Sequence, residues 1–103
     1  NMYCVSVYYP NKEDAKFDLE YYTTKHIPMV AGYIGDNVVK AEVHKGVASG
    51  DGSPAKFVYT GSIWINSVER FRATMAEHGG AIMGDIPNYT NIEPILQVDE
   101  VLE

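Results

Sequence analysis

A tyrosine and a histidine one helical turn apart are the residues of this 103-residue chain best suited to acid–base chemistry. Tyr22 and His26 are separated by the spacing that places two side chains on the same face of a helix. A histidine titrates near neutral pH, so His26 can take up and return a proton, which suits enolisation or an aldol-type cyclisation. The alternative is a structural role, in which the His26 ring bonds a backbone carbonyl group that Pro28 leaves free.

A second histidine, His78, is predicted near the end of the second helix, on its buried face. It can face the same cavity as His26 and assist there. It can also interact with the negative end of the helix dipole, a role that involves no ligand. The third histidine, His44, alternates with Lys40 and Glu42 on a polar strand face, so we expect it to be solvated.

Aromatic and apolar side chains are the candidates for ligand binding. The single tryptophan, Trp64, is expected to line a pocket or an interface between subunits, with plain packing as the simpler role. The chain also has 8 tyrosines, whose hydroxyls can orient a phenolic or carbonyl ligand in an apolar cavity. The predicted ligand-binding residues are Met29, Tyr33, Tyr59, Trp64 and Tyr89, and the predicted catalytic residues are Tyr22, His26 and His78.

Other catalytic patterns are missing from the sequence. It has no paired carboxylates, no nucleophile elbow, no phosphate-binding glycine loop and no histidine or cysteine spacing that would hold a metal. Asp18 is predicted to cap a helix, and Asp85, which precedes Ile-Pro, is predicted to be a turn residue. Neither carboxylate is therefore expected to be catalytic, and the residues present require no cofactor.

A long amphipathic segment must position Tyr22 and His26. Helical periodicity predicts a helix from its N-cap, Asp18, to about Tyr33. Pro28 lies inside this helix and is expected to kink or break it near His26. The residues that step by three and four along its predicted inward face are Leu19, Tyr22, His26, Met29 and Tyr33.

The remaining periodic segments complete an α+β order. A second helix, capped by Asn66 or Ser67, is predicted to end at Gly79-Gly80, with a further turn or two of helix at 81–85. The order βαββαβ is that of a ferredoxin-like fold, an antiparallel four-stranded sheet with both helices on one face. Alternating apolar residues predict its strands at 2–9, 38–46, 57–65 and 94–101.

The opposite face of that sheet determines the expected assembly. Cys4, Tyr8 and Trp64 lie in strands that carry apolar residues on both faces. A monomer would leave one apolar face in water, and at ~25 cal/mol per Å2, covering a few hundred Å2 is worth several kcal/mol. We therefore expect a homodimer in which a second copy packs sheet to sheet.

Length, charge and cysteine content narrow the class of protein. The chain has the length of one domain, taken as residues 2–103 because Asn1 before Met2 is interpreted as a remnant of an expression tag. The net charge is −6 and there is no basic patch, so neither nucleic acid nor an anionic membrane is expected as a partner. No apolar run reaches the roughly 18 residues of a membrane span. The single cysteine, Cys4, fits a reducing, cytoplasmic setting.

Three segments of the chain resemble the EthD family. Residues 17–29 carry Phe-Asp, Tyr-Tyr, Lys-His and Pro at the spacing of that family's helix signature, with Met29 in place of the usual leucine. Residues 5–12 and 82–94 resemble the family's first strand and C-terminal block, so the resemblance covers nearly the whole chain. It implies a dimeric α+β barrel with a cavity between helices and sheet in each subunit.

The resemblance leaves three classes of function open. The first is an enzyme of a catabolic or secondary-metabolic pathway, a cofactor-free oxidoreductase or a cyclase or isomerase. It would act on a hydrophobic carbonyl or aromatic compound, with His26 as its base or hydrogen-bond donor. The second is a haem-binding or haem-degrading barrel in which a helical histidine ligates iron. The third is a non-catalytic carrier or accessory protein that binds the same kind of ligand.

Overall fold

The computed structural model describes all residues, 1–103, and no helix in it is long and apolar enough to cross a membrane. The strands are β1 Met2–Pro10, β2 Val38–Lys45, β3 Phe57–Ile65 and β4 Ile95–Val101. The first helix consists of α1 Leu19–Tyr21, a π-helical turn Tyr22–His26 and α2 Ile27–Ile34. The second helix is α3 Val68–Asp85, and short 3-10 turns follow the helices at Gly35–Asn37 and Ile86–Asn88.

The four strands form one antiparallel sheet in the order β2-β3-β1-β4. Val5 of β1 pairs with Ile63 of β3 on one side and with Val98 of β4 on the other. Because alternate residues of a strand point to opposite faces, these three side chains share one face of the sheet. The topology confirms the predicted ferredoxin-like α+β fold.

Both helices pack on the sheet face that carries Val5. Two apolar clusters fill this layer, and the candidate site lies where they meet. The first cluster contains Val5, Ile63 and Ile65 of the sheet, Val30 and Ile34 of α2, and Phe71 and Ile82 of α3. The second contains Tyr9, Tyr22, Tyr89 and Ile92.

The predicted disturbance of the first helix takes the form of a π-helical turn. Asp18 caps the start of the helix, as expected, and its carboxylate accepts the N–H of Tyr21 at 3.0 Å. Further along, the N–H of Ile27 donates to the carbonyl of Tyr22, five residues earlier. Pro28 has no N–H, and its ring crowds the carbonyl one turn before it, so the preceding turn opens.

The π-helical turn also changes which residues of the first helix face the core. Tyr22 and His26 are buried as predicted, and the next buried residues are Val30 and Ile34. Because a π-helical turn contains one more residue than an α-helical turn, the buried side chains recur every four residues instead of every three to four. The other residues of the predicted inward face are not fully buried. Met29 and Tyr33 are half-buried, and Leu19 is exposed.

The prediction that the second helix ends at Gly79-Gly80 is wrong, because α3 runs on to Asp85. Its N-cap is Ser67, whose hydroxyl accepts the N–H of Arg70 at 3.1 Å. Neither glycine has the positive φ typical of a helix stop. Ile82, beyond them, is buried in the core, and its burial outweighs the cost of about 1 kcal/mol for each glycine in a helix.

The sheet face away from the helices carries aromatic and charged side chains side by side. Trp64 pairs with Cys4 across β3 and β1, and the Nζ atom of Lys40 lies 4.2 Å from the centroid of the Trp64 ring. The rings of Tyr8 and Phe57 are 5.1 Å apart. This outer sheet face is the surface through which a homodimer was expected.

Candidate active site

A small apolar cavity lies between the sheet and the two helices. Its volume is about 50 Å³, roughly a third of the ~150 Å³ cavity that holds a benzene molecule in another protein. Hydrogen-bonding side chains reach it from Tyr9, Tyr22 and His26. The lining residues are Val5, Val7, Tyr9, Tyr22, His26, Ile27, Val30, Gly61, Ile63, Phe71, Met75, Ile82, Met83, Ile86, Pro94 and Leu96.

His26 is held by the carboxylate at the end of the second helix. Its Nδ1 atom lies 2.9 Å from Oδ2 of Asp85, and the two side chains are 6% and 15% exposed. A carboxylate accepts hydrogen bonds, so Nδ1 carries a proton, and in the neutral ring Nε2 carries the lone pair. Nε2 has no hydrogen-bond partner within the chain. Every fully buried side-chain nitrogen or oxygen of the protein has such a partner, so Nε2 is not fully buried. Nε2 is therefore accessible, and the ring that carries it lines the cavity.

Asp85 is itself fixed by two further hydrogen bonds. The Tyr21 hydroxyl donates to its Oδ1 atom at 2.6 Å, and the Asn88 amide donates to the same oxygen at 3.0 Å. Partial burial raises the pKa of the Asp85 carboxyl. The hydrogen bonds from Tyr21, Asn88 and His26 together lower this pKa by more, so the net pKa is below the ordinary value. Asp85 is therefore an ionised hydrogen-bond acceptor for His26 at neutral pH.

Three buried tyrosines lie beside this pair. The hydroxyls of Tyr9 and Tyr89 are 2.7 Å apart, so one donates to the other. The Tyr22 ring stacks on the His26 ring, with centroids 5.7 Å apart and planes 17° apart. Burial is the main cause that raises the pKa of Tyr9, Tyr22 and Tyr89 well above the usual range. All three hydroxyls therefore stay protonated and can act as hydrogen-bond donors.

The Tyr22 hydroxyl occupies space that a glycine leaves open. A Cβ atom on Gly61 of β3 would lie closer to this oxygen than any non-bonded contact allows. Gly61 pairs with Val7 at the centre of the sheet, so the close approach brings the phenol down onto the strand backbone. The glycine thereby determines how deeply Tyr22 reaches into the cavity.

Backbone contacts hold the two halves of the site together. The N–H of Asp18 donates to the carbonyl of Tyr89 at 2.7 Å, and the Thr90 hydroxyl donates to the carbonyl of Lys16 at 2.7 Å. Phe17 and Thr90 form an isolated antiparallel bridge. The start of the first helix is thus attached to the segment that follows α3, which keeps the π-helical turn close to Asp85.

The structure brings two of the predicted catalytic residues together and separates the third. Tyr22 and His26 both line the cavity. The His78 ring instead stacks on Tyr33, with centroids 4.1 Å apart and planes 8° apart, away from the cavity. The two histidines therefore do not share one cavity.

None of the predicted ligand-binding residues lines the cavity. Tyr89 is the nearest, since its ring centroid is 4.6 Å from that of His26. The Tyr59 ring packs on the Phe17 ring, with centroids 4.4 Å apart. Met29 and Tyr33 flank the first cluster, because the π-helical turn places Val30 and Ile34 inward instead, and Trp64 lies on the outer sheet face.

Sequence reasoning missed three residues of this site, Asp85, Tyr21 and Tyr9. Asp85 was expected to be a turn residue, yet it ends α3 and accepts three side-chain hydrogen bonds. Its partner His26 is 59 positions away, so no local pattern joins the two. Tyr9 alternates correctly for the inner face of β1, and that periodicity was the available signal. No three His, Cys, Asp or Glu side chains are grouped so as to hold a metal ion.

Comparison with known proteins agrees with the fold and names the family. Residues 4–93 match the sequence model of the EthD domain. An EthD-like protein from Ralstonia eutropha JMP134 is 44% identical, with 99% of this chain and 93% of that chain covered and a TM-score of 0.91. An EthD family protein from Bacillus halodurans C-125 is 20% identical, with 99% and 100% covered and a TM-score of 0.73.

A more distant likeness reaches outside this family. SnoaB, a cofactor-independent oxygenase from Streptomyces nogalater, is 10% identical, with 99% of this chain and 93% of that chain covered. Its TM-score of 0.57 shows a shared fold alone. No curated protein matches the chain. The family model and the 44% identical relative establish that this chain belongs to the EthD family.

Proposed function

We propose that the protein is an enzyme in which His26 acts as a general base on a small, mostly apolar molecule. The observation that carries this proposal is the 2.9 Å contact between His26 Nδ1 and Asp85 Oδ2. It keeps the proton on Nδ1 and leaves the Nε2 lone pair for the ligand. A proton that moves to Nε2 produces an imidazolium ion, which the Asp85 carboxylate stabilises.

The apolar walls of the cavity and the partners of Asp85 support the contact between His26 and its carboxylate. The walls of the cavity are almost entirely apolar, and charges attract each other more strongly in such a medium than in water. The hydrogen bonds from Tyr21 and Asn88 keep Asp85 in place while the charge on His26 changes. A general base positioned in this way accelerates proton transfer by roughly 10²–10⁴-fold.

The reaction classes expected from the sequence begin with this step. A cyclisation or isomerisation starts when a proton is removed beside a carbonyl group, and a cofactor-free oxidation starts with the removal of a proton from a carbon or phenolic oxygen. The chain's own residues are sufficient for that step. The cofactor-independent oxygenase SnoaB has the same fold, which makes the fold compatible with such chemistry without assigning it here.

The two alternatives receive less support from the geometry. A haem is far larger than benzene, and a cavity of about 50 Å³ does not accommodate it. A carrier needs only the apolar walls of the cavity. Ligand carriage alone does not explain why an ionised Asp85 is hydrogen-bonded to His26. A homodimer through the outer sheet face remains part of the proposal, because it would cover the aromatic residues there.

The experiment uses a panel of small neutral ketones, aldehydes and phenols incubated with the protein in D2O. Proton NMR follows both conversion and deuterium exchange. His26→Gln keeps the size of the side chain and removes the base, so activity should be lost. His44→Gln is the matched control, because the His44 side chain is 63% exposed on the outer face. Binding of panel members with no exchange or conversion would make the protein a carrier and overturn the proposal.

A further inference from the structure

The polar groups of the cavity restrict the charge of its ligand. Its lining contains no lysine, arginine, aspartate or glutamate. A carboxylate or phosphate group buried there would lose its water and meet no permanent cation, which is unfavourable. A ligand with a permanent positive charge would meet no anion in the lining and is excluded for the same reason. The cavity is built for a neutral molecule with few polar atoms.

The Tyr22 hydroxyl is the second polar group that such a molecule would meet. Its ring is nearly parallel to that of His26, and its hydroxyl rests on the backbone of Gly61. Tyr9 also lines the cavity, and its hydroxyl is hydrogen-bonded to that of Tyr89. Because its neighbours hold Tyr22 in place, its hydroxyl can donate a hydrogen bond to a ligand with little rearrangement.

Resting on the proposed role of His26, we propose that the substrate is a small neutral carbonyl compound with a hydrogen on the α-carbon, and that Tyr22 donates a hydrogen bond to its carbonyl oxygen. His26 Nε2 takes the α-proton, and the C–H bond breaks. The electron pair forms a carbon–carbon double bond while the carbonyl oxygen becomes an enolate oxygen. Return of the proton from Nε2 to the same or a conjugated carbon restores the base, so no oxidant or reductant is consumed.

The enolate is where Tyr22 contributes most. Negative charge develops on the oxygen as the proton leaves, and a donor already in place stabilises that charge more than it stabilises the neutral ketone. The high pKa of the buried Tyr22 phenol keeps its proton on the hydroxyl throughout. Loss of one such donor typically lowers the rate by about 10²-fold or more.

The size of the cavity limits the substrate further. At about 50 Å³ it accepts a compound of a few heavy atoms without rearrangement. Met75 and Met83 line it, and Met83 is 46% exposed. Methionine side chains change shape easily, so a larger ketone can enter by displacing them.

The test measures deuterium uptake from D2O into the methyl groups of acetone, methyl pyruvate and pyruvate by proton NMR. Each rate is divided by the rate of the same compound in buffer. We expect the protein to accelerate exchange of the two neutral ketones at least tenfold and to leave pyruvate near its buffer rate. Equal acceleration of pyruvate and methyl pyruvate would overturn the assignment of a neutral substrate.

Variants separate the role of the donor from that of the base. Tyr22→Phe should lower the acceleration about 10²-fold, whereas Tyr8→Phe, on the outer face, should leave it unchanged. Gly61→Ala should cause a similar loss by displacing the phenol, and the loss in the double variant should not exceed that of Tyr22→Phe alone. Full activity of Tyr22→Phe would remove Tyr22 from the mechanism.

The two proposals fail in different ways. Exchange that survives in Tyr22→Phe but disappears in His26→Gln leaves the base in place and overturns only the donor. If neither neutral ketone exchanges while a phenol of the wider panel is turned over with His26, the carbonyl class is wrong and the general base stands. Exchange that persists in His26→Gln contradicts both.

Discussion

His26 and Asp85 are 59 positions apart in the sequence, and their side chains meet at 2.9 Å. One belongs to the π-helical turn of the first helix and the other ends the second helix. The hydrogen bond therefore couples a local irregularity of one helix to the length of the other. Both features are needed to give a histidine with a defined tautomer beside an apolar cavity.

Asp85→Asn should abolish the defined tautomer while preserving the shape of the site. An amide can donate as well as accept, so it no longer requires the proton to be on Nδ1. Long-range proton–nitrogen NMR should show the Nδ1–H form of His26 in the wild type and a mixture in the variant. Any His26-dependent rate should fall by about 10²–10⁴-fold. Asp51→Asn, in the exposed loop, serves as control, and an unchanged tautomer in Asp85→Asn would contradict the assignment.

The stability of the fold should decline in acid partly through Asp85. Its carboxyl has a pKa below the ordinary value of 3.8, because hydrogen bonds from Tyr21, Asn88 and His26 outweigh the opposing effect of burial. Because the pKa of Asp85 is lower in the folded state, its contribution to stability is complete above pH 3.8. That contribution is lost as the pH falls through the folded-state pKa. Thermal unfolding of the wild type and Asp85→Asn should give Tm values that converge below about pH 4. A constant difference down to about pH 2 would contradict this origin.

The Tyr9–Tyr89 hydrogen bond should show coupling in a double-mutant cycle. Tyr9→Phe leaves the buried hydroxyl of Tyr89 without its partner, and we expect a loss of about 1–3 kcal/mol in the free energy of unfolding. Tyr89→Phe should cost a similar amount. The double variant should lose less than the sum, because no unpaired hydroxyl remains. Urea denaturation measures all three, and strict additivity would show that the two hydroxyls are not coupled.

Gly80→Ala should stabilise the protein. Gly80 lies inside α3, and a Cβ atom there meets no other atom within 4 Å. Alanine has the higher helix propensity and the less flexible unfolded chain, so the free energy of unfolding should rise by about 0.5–1 kcal/mol. Gly61→Ala, whose added Cβ atom would overlap the Tyr22 hydroxyl, should be destabilising in the same urea experiment. A destabilising Gly80→Ala would mean that α3 does not continue through the glycines.

The outer sheet face should mediate dimerisation. Trp64 lies there beside Lys40 and pairs with Cys4. Trp64→Glu would bury a charge in a sheet-to-sheet interface, and we expect native mass spectrometry to show a dimer for the wild type and a monomer for the variant. Leu102→Glu, on an 84% exposed residue, controls for added charge. A wild-type monomer would overturn the proposed assembly.

The fold could be predicted because its determinants are local and repeated. Alternation in the strands and the cap at Asp18 are readable within a few residues, and the structure bears them out. The glycine pair in α3 misled because the local preference of glycine is outweighed by burial of Ile82, a tertiary effect. Pro28 marked the position of the irregularity in the first helix but not its form.

The candidate site could be predicted only from one side. Tyr22 and His26 were accessible to pattern reasoning because they belong to one helix. The role of Asp85 could not be predicted, since nothing near it in the sequence indicates that it contacts a histidine in the other helix. Met29 and Tyr33 were placed inward on α-helical geometry, which the π-helical turn replaces.

The π-helical turn can be regarded as an α-helix that has accepted one inserted residue. Thr23 and Thr24 within it are exposed, and their hydroxyls bond carbonyls of the preceding turn, so the core would lose little if one were deleted. Deletion would return the turn to the α-helical repeat and leave Tyr22 and His26 on one face of the helix, three residues apart instead of four. A relative one residue shorter here would keep the sheet, both helices and a tyrosine one turn before the histidine. A search for this pair at a fixed spacing of four residues would therefore overlook chains that share the site without the π-helical turn.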